Sequence, residues 1–382
     1  MKTIIVGYHL LKTHERLMCK SIVHITTVHN PNDTRITKRM CNSIAEYSDF
    51  YCSIICFEAN LIKNKKLNKI SLGPKLSRFN RLFKIFDIIK IIKRNNFNIV
   101  HIHDPELFIL VFFLNKNTRT IIDLHENYWV SILEKHYIPK LFRKILQLFV
   151  QKYLNLCLKN CDLVVTAWPK INEYVKKKNI ITINNYPPAN YDVVHKNKSS
   201  TTRFIFSGLI SFERGIVEAI NLFEIFSSDK KSELKIIGRF KSFDEKVYLN
   251  KVLKQHSNIE LYEWMSQDEL YQNMRWADFG FIFFHDIPNH RFSIPNKLFE
   301  YIQNKVIPLT SDLPFLYSFN KLNKCGVSSN IFNNEYFLRK LYLITTDLTV
   351  KMNLLKNHDK IIQKYTWEEE FLKLHNCYLK LI

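Results

Sequence analysis

The chain has 382 residues, of which 46% are apolar and 14% aromatic. That is long enough for two domains with real cores and too apolar for a mainly disordered chain. Fifty-six Lys and Arg against 35 Asp and Glu leave a net charge of +21, which predicts an anionic partner: nucleic acid, an acidic membrane surface or a phosphorylated ligand. Only 7 Gly and 11 Pro exclude collagenous and low-complexity classes, and no G-x-G-x-x-G or Walker loop occurs. The longest uncharged apolar block, Leu107 to Leu114, is far short of the roughly 20 residues a membrane span needs. The opening residues carry a short apolar patch with no small-residue cleavage site, which argues against a secretory signal. The eight cysteines form no C-x-x-C pair and have no partner at zinc-ligand spacing, so they read as reduced, mostly buried thiols of a cytosolic protein.

Taken in chain order, residues 1–20 read as an extension, with Met18 as an alternative start. Strands are then predicted at 21–27, 51–57, 99–103, 120–124, 163–167 and 180–183, with helices at 35–47, 78–95, 139–159 and 169–177 between them. The polar run HKNKSSTT over 195–202 reads as a linker. The alternation restarts beyond it, with strands at 203–207, 234–237, 259–262, 279–284 and 306–310 and helices at 218–226, 243–256, 267–276 and 297–303. Strands separated by helices predict an α/β chain of two Rossmann-like parallel-sheet domains, 21–195 and 203–355, facing a cleft. Residues 356–382 are expected to form a C-terminal helix packing back toward the first domain.

The polar residues gather where apolar runs end. In HITTVHNPNDTRITKRM a strand leads into a turn containing His29, and Arg35, Lys38 and Arg39 open the next helix, an arrangement suited to an anion. In IVHIHDPE, alternation puts His101 and His103 on one sheet face, with Asp104 and Glu106 in the loop. No third ligand stands at metal spacing there, so proton transfer or hydroxyl positioning remains open beside an ordinary core role. IIDLHENY places His125 and Glu126 at another strand end, pointing toward the same sheet edge. In the second half, FSGLISFERG offers Gly208 and Arg214 around a glycine turn, and IIGR offers Gly238 and Arg239. SIPNKLFEYI places Asn296, Lys297 and Glu300 at a helix start, with Lys297 and Glu300 three apart on one face. One cation and one carboxylate there suit a phosphate and a ribose diol, or form a plain surface ion pair.

The ordered series HNPNDTR, HDPE, DLHENY, NNYPP, FSGLISFERG, IIGRF, SIPNKLFEY and YTWEEEF resembles bacterial glycosyltransferase family 4, over roughly residues 20–380. The resemblance implies the two-domain GT-B fold, with an acceptor-side first domain and a nucleotide-sugar-binding second one. It also implies retaining transfer of a hexose or N-acetylhexosamine from a nucleotide sugar, expected to be UDP-linked. By the same resemblance Glu300 binds the donor ribose, Arg214 clamps the diphosphate and His125 lies against the transferred sugar. Asn296 and Lys297 line the donor site with Gly208, Gly238 and Arg239. Acceptor-side candidates are His29, Arg35, His103, Asp104 and Glu126, and the catalytic set is His125, Arg214 and Lys297. Two positions depart from the family: Phe292 stands where the first glutamate of a pair is usual, and Leu209 where an arginine is usual. The N-terminal glycine-rich loop is also replaced by His29 to Arg35. These departures resemble a polysaccharide-building subgroup, giving the expectation of a lipid-diphosphate-linked glycan acceptor in O-antigen, lipopolysaccharide or capsule assembly. No D-x-D occurs, so no metal or other cofactor is expected for transfer. The enzyme is expected to sit peripherally on the cytoplasmic face of the inner membrane, held at the anionic surface by basic amphipathic helices. The competing readings are a nucleotide-sugar epimerase of the same fold and a basic nucleic-acid-binding protein. The latter lacks any zinc knuckle, aromatic RNA-binding motif or helix-turn-helix.

Overall fold

The apolar runs of the first half become seven parallel strands: β1 Ser21–Ile25, β2 Tyr51–Cys56, β3 Asn68–Ser71, β4 Ile99–Ile102, β5 Arg119–Leu124, β6 Leu163–Thr166 and β7 Ile180–Thr182. They lie in the order β3-β2-β1-β4-β5-β6-β7. The second half contributes β8 Thr202–Ile210, β9 Ser232–Phe240, β10 Ile259–Tyr262, β11 Phe279–Ile282, β12 Ile307–Ser311 and β13 Val327–Ser329, in the order β10-β9-β8-β11-β12-β13 and again all parallel. The structure is a computed structural model and describes residues 20–59, 67–126, 128, 139–189, 200–291 and 293–382. The expected residues 1–19 of the extension, most of the linker and Phe292 lie outside them.

Each sheet is covered on both faces, which is why its strands read as continuous apolar runs and not as alternating ones. In the first sheet one face packs against α2 Arg78–Asn95, the 3-10 segment Pro105–Phe112 and α3 Lys140–Asn160. The other face meets a π-helical turn, Thr34–Cys41, its continuation α1 Asn42–Tyr47, and a helix from the far end of the chain. Asp33 starts the π turn by accepting from the Arg35 and Ile36 amides at 2.9 and 2.8 Å. The second sheet carries α4 Ile216–Ser227, α5 Phe243–Gln255, α6 Gln267–Trp276, a short turn α7 Pro288–Arg291, α8 Asn296–Gln303, α9 Pro314–Asn323 and α10 Asn334–Thr346. The serine and glutamate capping boxes at Ser242/Glu245 and Ser266/Glu269 start α5 and α6.

Three differences from the predicted elements have local causes. β3 is a polar, half-buried edge strand with no apolar run to mark it. β8 and β9 extend past the predicted ends because Gly208 and Gly238 face each other in register, where a Cβ on Gly238 would stand 1.7 Å from the Gly208 carbonyl oxygen. The single helix expected over 356–382 is two helices, α11 Leu348–Lys364 and α12 Trp367–Leu381, because Thr366 caps the Glu369 amide and restarts the chain. α11 packs on α8. α12 lies on the first sheet, where Trp367 donates to Ser43 Oγ at 2.7 Å and Tyr378 sits over His101.

Candidate active site

Strand order reverses twice, between β1 and β4 and between β8 and β11, and open α/β sheets bind ligands just beyond such switch points. The loops after β1, β5, β8 and β11 face one another across a cleft of about 1360 Å³ lined by both halves. The second half contributes Gly208, Arg214, Arg239, Asn296, Lys297 and Glu300, and the first half Asp33, Lys38, Arg39, His125 and Glu126.

On the second-half wall the cations are bedded in aromatic rings. Arg214 ends a 3-10 turn, Phe212–Arg214, and Gly215 follows at φ 73°. A Cβ there would stand 2.0 Å from the Phe283 carbonyl oxygen, so glycine is required. The Arg214 guanidinium lies 5.5 Å from the Phe284 ring centre, and the Lys297 ammonium lies 4.9 Å from that of Phe206. Lys297 is buried and donates to the Ser207 carbonyl. Burial first, and Arg214 second, bring its ammonium down to about 7, against the pull of Glu300. Burial likewise pushes the Glu300 carboxyl above the usual carboxylate range, opposed by Arg39 and Lys297. Gly208, at φ 106°, leaves room beside both cations, with Lys297 Nζ 3.6 Å and Arg214 Nη1 3.8 Å from where its Cβ would be. One buried and one half-buried cation with an open backbone beside them suit an anion. Gly238 serves the β8–β9 pairing instead, and Arg239 is exposed over the Trp264 ring at 5.5 Å.

Beneath the first-half wall lies a buried network. Parallel strands in register put His24 beside His101, and the same register carried one strand further brings His103 against Asp123. Asp123 is fully buried. It accepts from Arg35 Nη2 at 2.9 Å and Nε at 3.0 Å, with His103 Nδ1 at 3.1 Å and His125 Nε2 at 3.0 Å. Burial opposes its ionisation, but Arg35, His125 and His103 together hold it well below the usual carboxylate range. His103 Nε2 contacts His24 Nδ1 at 2.9 Å, and His101 Nδ1 contacts the Tyr378 hydroxyl at 2.8 Å.

Three acceptor-side candidates therefore lie beneath the cleft and not in it. His103 and Asp104 are buried, and Arg35 is occupied by Asp123 and by the Ile183 carbonyl at 2.7 Å. Asp104 closes the turn after β1, accepting from the Thr27 amide at 2.5 Å and the Val28 amide at 3.1 Å. His29 is half-buried, 3.3 Å from Asp33, with its ring 4.9 Å from that of His125. His125 and Glu126 do reach the cleft. The spacing argument against a third metal ligand also fails in three dimensions. His103, Asp123 and His125 come together at the ends of neighbouring strands, and two further buried groups that include His24 lie beside them.

Arg39 is the functional candidate the sequence marked only as part of a basic helix start. It stands one helical turn beyond Arg35 on the same face, is 2% exposed and donates to the Asn185 carbonyl at 2.6 Å. Its Nε and Nη2 have no hydrogen-bond partner. It is the first half's buried cation in a cleft whose opposite wall carries Glu300.

Residues 54–185 match the sequence model of Glycosyltransferase Family 4. No curated protein matches the chain in sequence. Among solved structures, the HepE protein of Anabaena in complex with UDP aligns at a TM-score of 0.70 and 9% identity, over 94% of this chain and 100% of that one. Sucrose-phosphate synthase of Thermosynechococcus elongatus aligns at 0.69 and 13%, over 95% and 99%. A glycosyltransferase of Rickettsia africae aligns at 0.67 and 14%, over 95% and 99%. Similarity at this level of identity establishes the fold: two Rossmann-like domains facing a cleft, as in GT-B glycosyltransferases.

The buried histidines carry a pH prediction. Burial, followed by neighbouring histidines, lowers His24 and His101 well below 6.5, and burial against the pull of Asp123 brings His103 to about 4. The unfolded chain takes up these protons as pH falls through about 6.5 while the folded chain does not, so stability must fall with pH from there downward. Each imbalance contributes about 1.4 kcal/mol per pH unit. Urea unfolding midpoints should thus drop steeply from pH 7 to pH 5. A flat profile over that range would contradict neutral, buried imidazoles.

Proposed function

We propose that the protein is a retaining glycosyltransferase that takes a hexose or N-acetylhexosamine from a UDP-sugar bound in the cleft. The observation that carries this reading is the pairing of Arg214 and Lys297 around the open backbone at Gly208, with Glu300 one helical turn beyond Lys297. A nucleoside diphosphate has the complementary parts: two phosphates for the cations and a ribose diol for the carboxylate. The family model over residues 54–185 and the UDP-bound HepE structure of the same fold support it.

In this reading the bond between the sugar C1 and the diphosphate oxygen breaks, and the leaving oxygen keeps the electron pair. Arg214 and Lys297 stabilise the negative charge that develops there, preorganised by their aromatic beds. The acceptor hydroxyl adds to C1 on the face the diphosphate leaves, and its proton passes to the departing phosphate oxygen. No divalent cation is assigned to the diphosphate. His125, tied through Nε2 to Asp123, presents the rest of its ring to the cleft beside the sugar. His125→Ala is expected to lower turnover at saturating donor by about 10²-fold or more. Near wild-type turnover would remove it from the reaction.

The acceptor is proposed to be a glycan on a lipid diphosphate, met at the cytoplasmic face of the inner membrane during surface-polysaccharide assembly. Among the described residues no helix is long and apolar enough to cross a membrane. α2 and α3 instead turn large side chains outward, with Phe79, Phe83, Phe86 and Phe149 67–81% exposed. Exposed basic residues such as Lys90, Lys93 and Lys152 share those helices. An apolar face rimmed by cations suits an anionic bilayer surface. Burying one phenylalanine contributes about 1.5–3 kcal/mol. The double variant Phe83→Asp/Phe86→Asp should therefore sediment with anionic liposomes at least about tenfold less well. Wild-type sedimentation should also fall as salt rises. Equal binding to neutral and anionic vesicles, or none to either, contradicts the surface assignment.

A further inference from the structure

The first sheet holds a group of soft ligands that the proposed transfer does not use. His24 on β1, Cys52 on β2 and Cys41 at the end of the π-helical turn each offer one ligand atom, and these atoms lie within 4.8 Å of one another. All three side chains are buried. Cys41 and Cys52 are free thiols close enough to hydrogen-bond to each other.

The hydrogen bonds around His24 fix which of its nitrogens is available. Asp123 is ionised, so His103 donates to it through Nδ1 and its Nε2 is an acceptor. His24 Nδ1 must then donate to His103 Nε2. That leaves His24 Nε2 as a bare lone pair, buried and without a partner. An unpaired acceptor in a dry pocket is destabilising unless something fills it. A histidine whose other nitrogen is anchored through a chain to a carboxylate is also the usual support of a metal ligand. The adjacent His101, with its ring centre 4.7 Å from that of His24, likewise has an unpartnered Nε2.

We propose that Cys41, Cys52 and His24 bind a structural zinc ion, with the neighbouring His101 as the candidate fourth ligand. Two thiolates and an imidazole are a soft donor set suited to zinc. Zinc bonds of about 2.3 Å to sulfur and 2.0–2.1 Å to nitrogen put tetrahedral ligand atoms roughly 3.5–3.8 Å apart, so small side-chain rotations close the site. On binding, each thiol releases its proton to solvent, and two thiolates balance the ion's charge, so no net charge is buried. The second cluster, at His103, Asp123 and His125, is a poorer choice because the Arg35 guanidinium already holds both Asp123 oxygens. The zinc would pin the end of the helical turn that carries Arg35 and Arg39 to the sheet. It stands apart from the diphosphate pocket, which lies on the second half.

Elemental analysis of the untagged full chain, purified without chelator, tests this directly. The expected result is one zinc per chain, retained through dialysis and released when a mercurial titrates the thiols, with a chromogenic chelator reading the release. Protein produced in cobalt-supplemented medium should show a thiolate-to-cobalt charge-transfer band in the near ultraviolet. Cys41→Ser and Cys52→Ser should each lose the metal, whereas Cys157→Ser, an equally buried thiol on α3, should keep it. If either serine variant fails to fold, the wild-type stoichiometry and the cobalt spectrum still decide. Metal-free wild-type protein that takes up neither zinc nor cobalt on refolding overturns the proposal, as does full metal content in both serine variants. Neither result bears on whether the cleft binds UDP.

Discussion

Asp123→Asn is expected to destabilise the protein by about 3–5 kcal/mol, the cost of breaking a buried ion pair by removing one partner. The carboxylate is fully buried, and both its oxygens are held by Arg35 while two imidazoles share one of them. An amide cannot balance the guanidinium, and its NH₂ group would face donors where acceptors are needed. Arg35 would remain buried and charged, with the Ile183 carbonyl as its remaining partner among the described residues. Pairing the change with Arg35→Met removes the orphaned charge, so the double variant should recover part of the loss. Urea unfolding of the wild type, both single variants and the double variant checks this. A single-variant loss under about 1 kcal/mol would show that the network contributes little.

Lys297→Met should weaken UDP binding by about 2–4 kcal/mol, or tens to several hundred-fold, because it removes a desolvated cation facing a phosphate. The pH dependence separates this from a packing effect. The free ammonium titrates near 7, and a bound diphosphate favours its charged form. Above pH 7 binding must therefore take up a proton, so wild-type affinity should fall between pH 7 and pH 9. Calorimetry at pH 8 in two buffers of different ionisation heat should report that uptake, and Lys297→Met should abolish it. Glu300→Gln should weaken UDP binding while leaving the unfolding midpoint near its wild-type value. Unchanged affinity in both variants would move the donor away from this wall.

The two-sheet architecture was legible because parallel strands covered on both faces leave apolar runs that survive any helix assignment between them. The ends of those runs located Gly208, Arg214, Lys297, Glu300 and His125, all of which line the cleft. What the sequence could not reveal is what covers a strand end. His103 and Asp104 share the polar, loop-adjacent look of His125 and Glu126. In three dimensions the turn after β1 closes over Asp104 through Thr26, Thr27 and Val28, and His24 and Asp123 enclose His103. The histidine and cysteine cluster was hidden for a similar reason. Its members come from three elements and converge through strand register and the packing of the π-helical turn on the sheet, so no linear ligand spacing announces them. Arg39 had a partial signal, its one-turn spacing from Arg35, but the distinction between the paired and the open guanidinium depends on Asp123 and Asn185.

Retaining transfer from a UDP-sugar is decided by incubating the protein with a panel of UDP- and GDP-sugars and a lipid-diphosphate monosaccharide, then reading the product's anomeric configuration by NMR. A retaining transferase forms a new glycosidic bond from at least one α-linked UDP-sugar, with the α configuration kept. An inverted product, a sugar epimerised or released without transfer, or no reaction across the panel would contradict it.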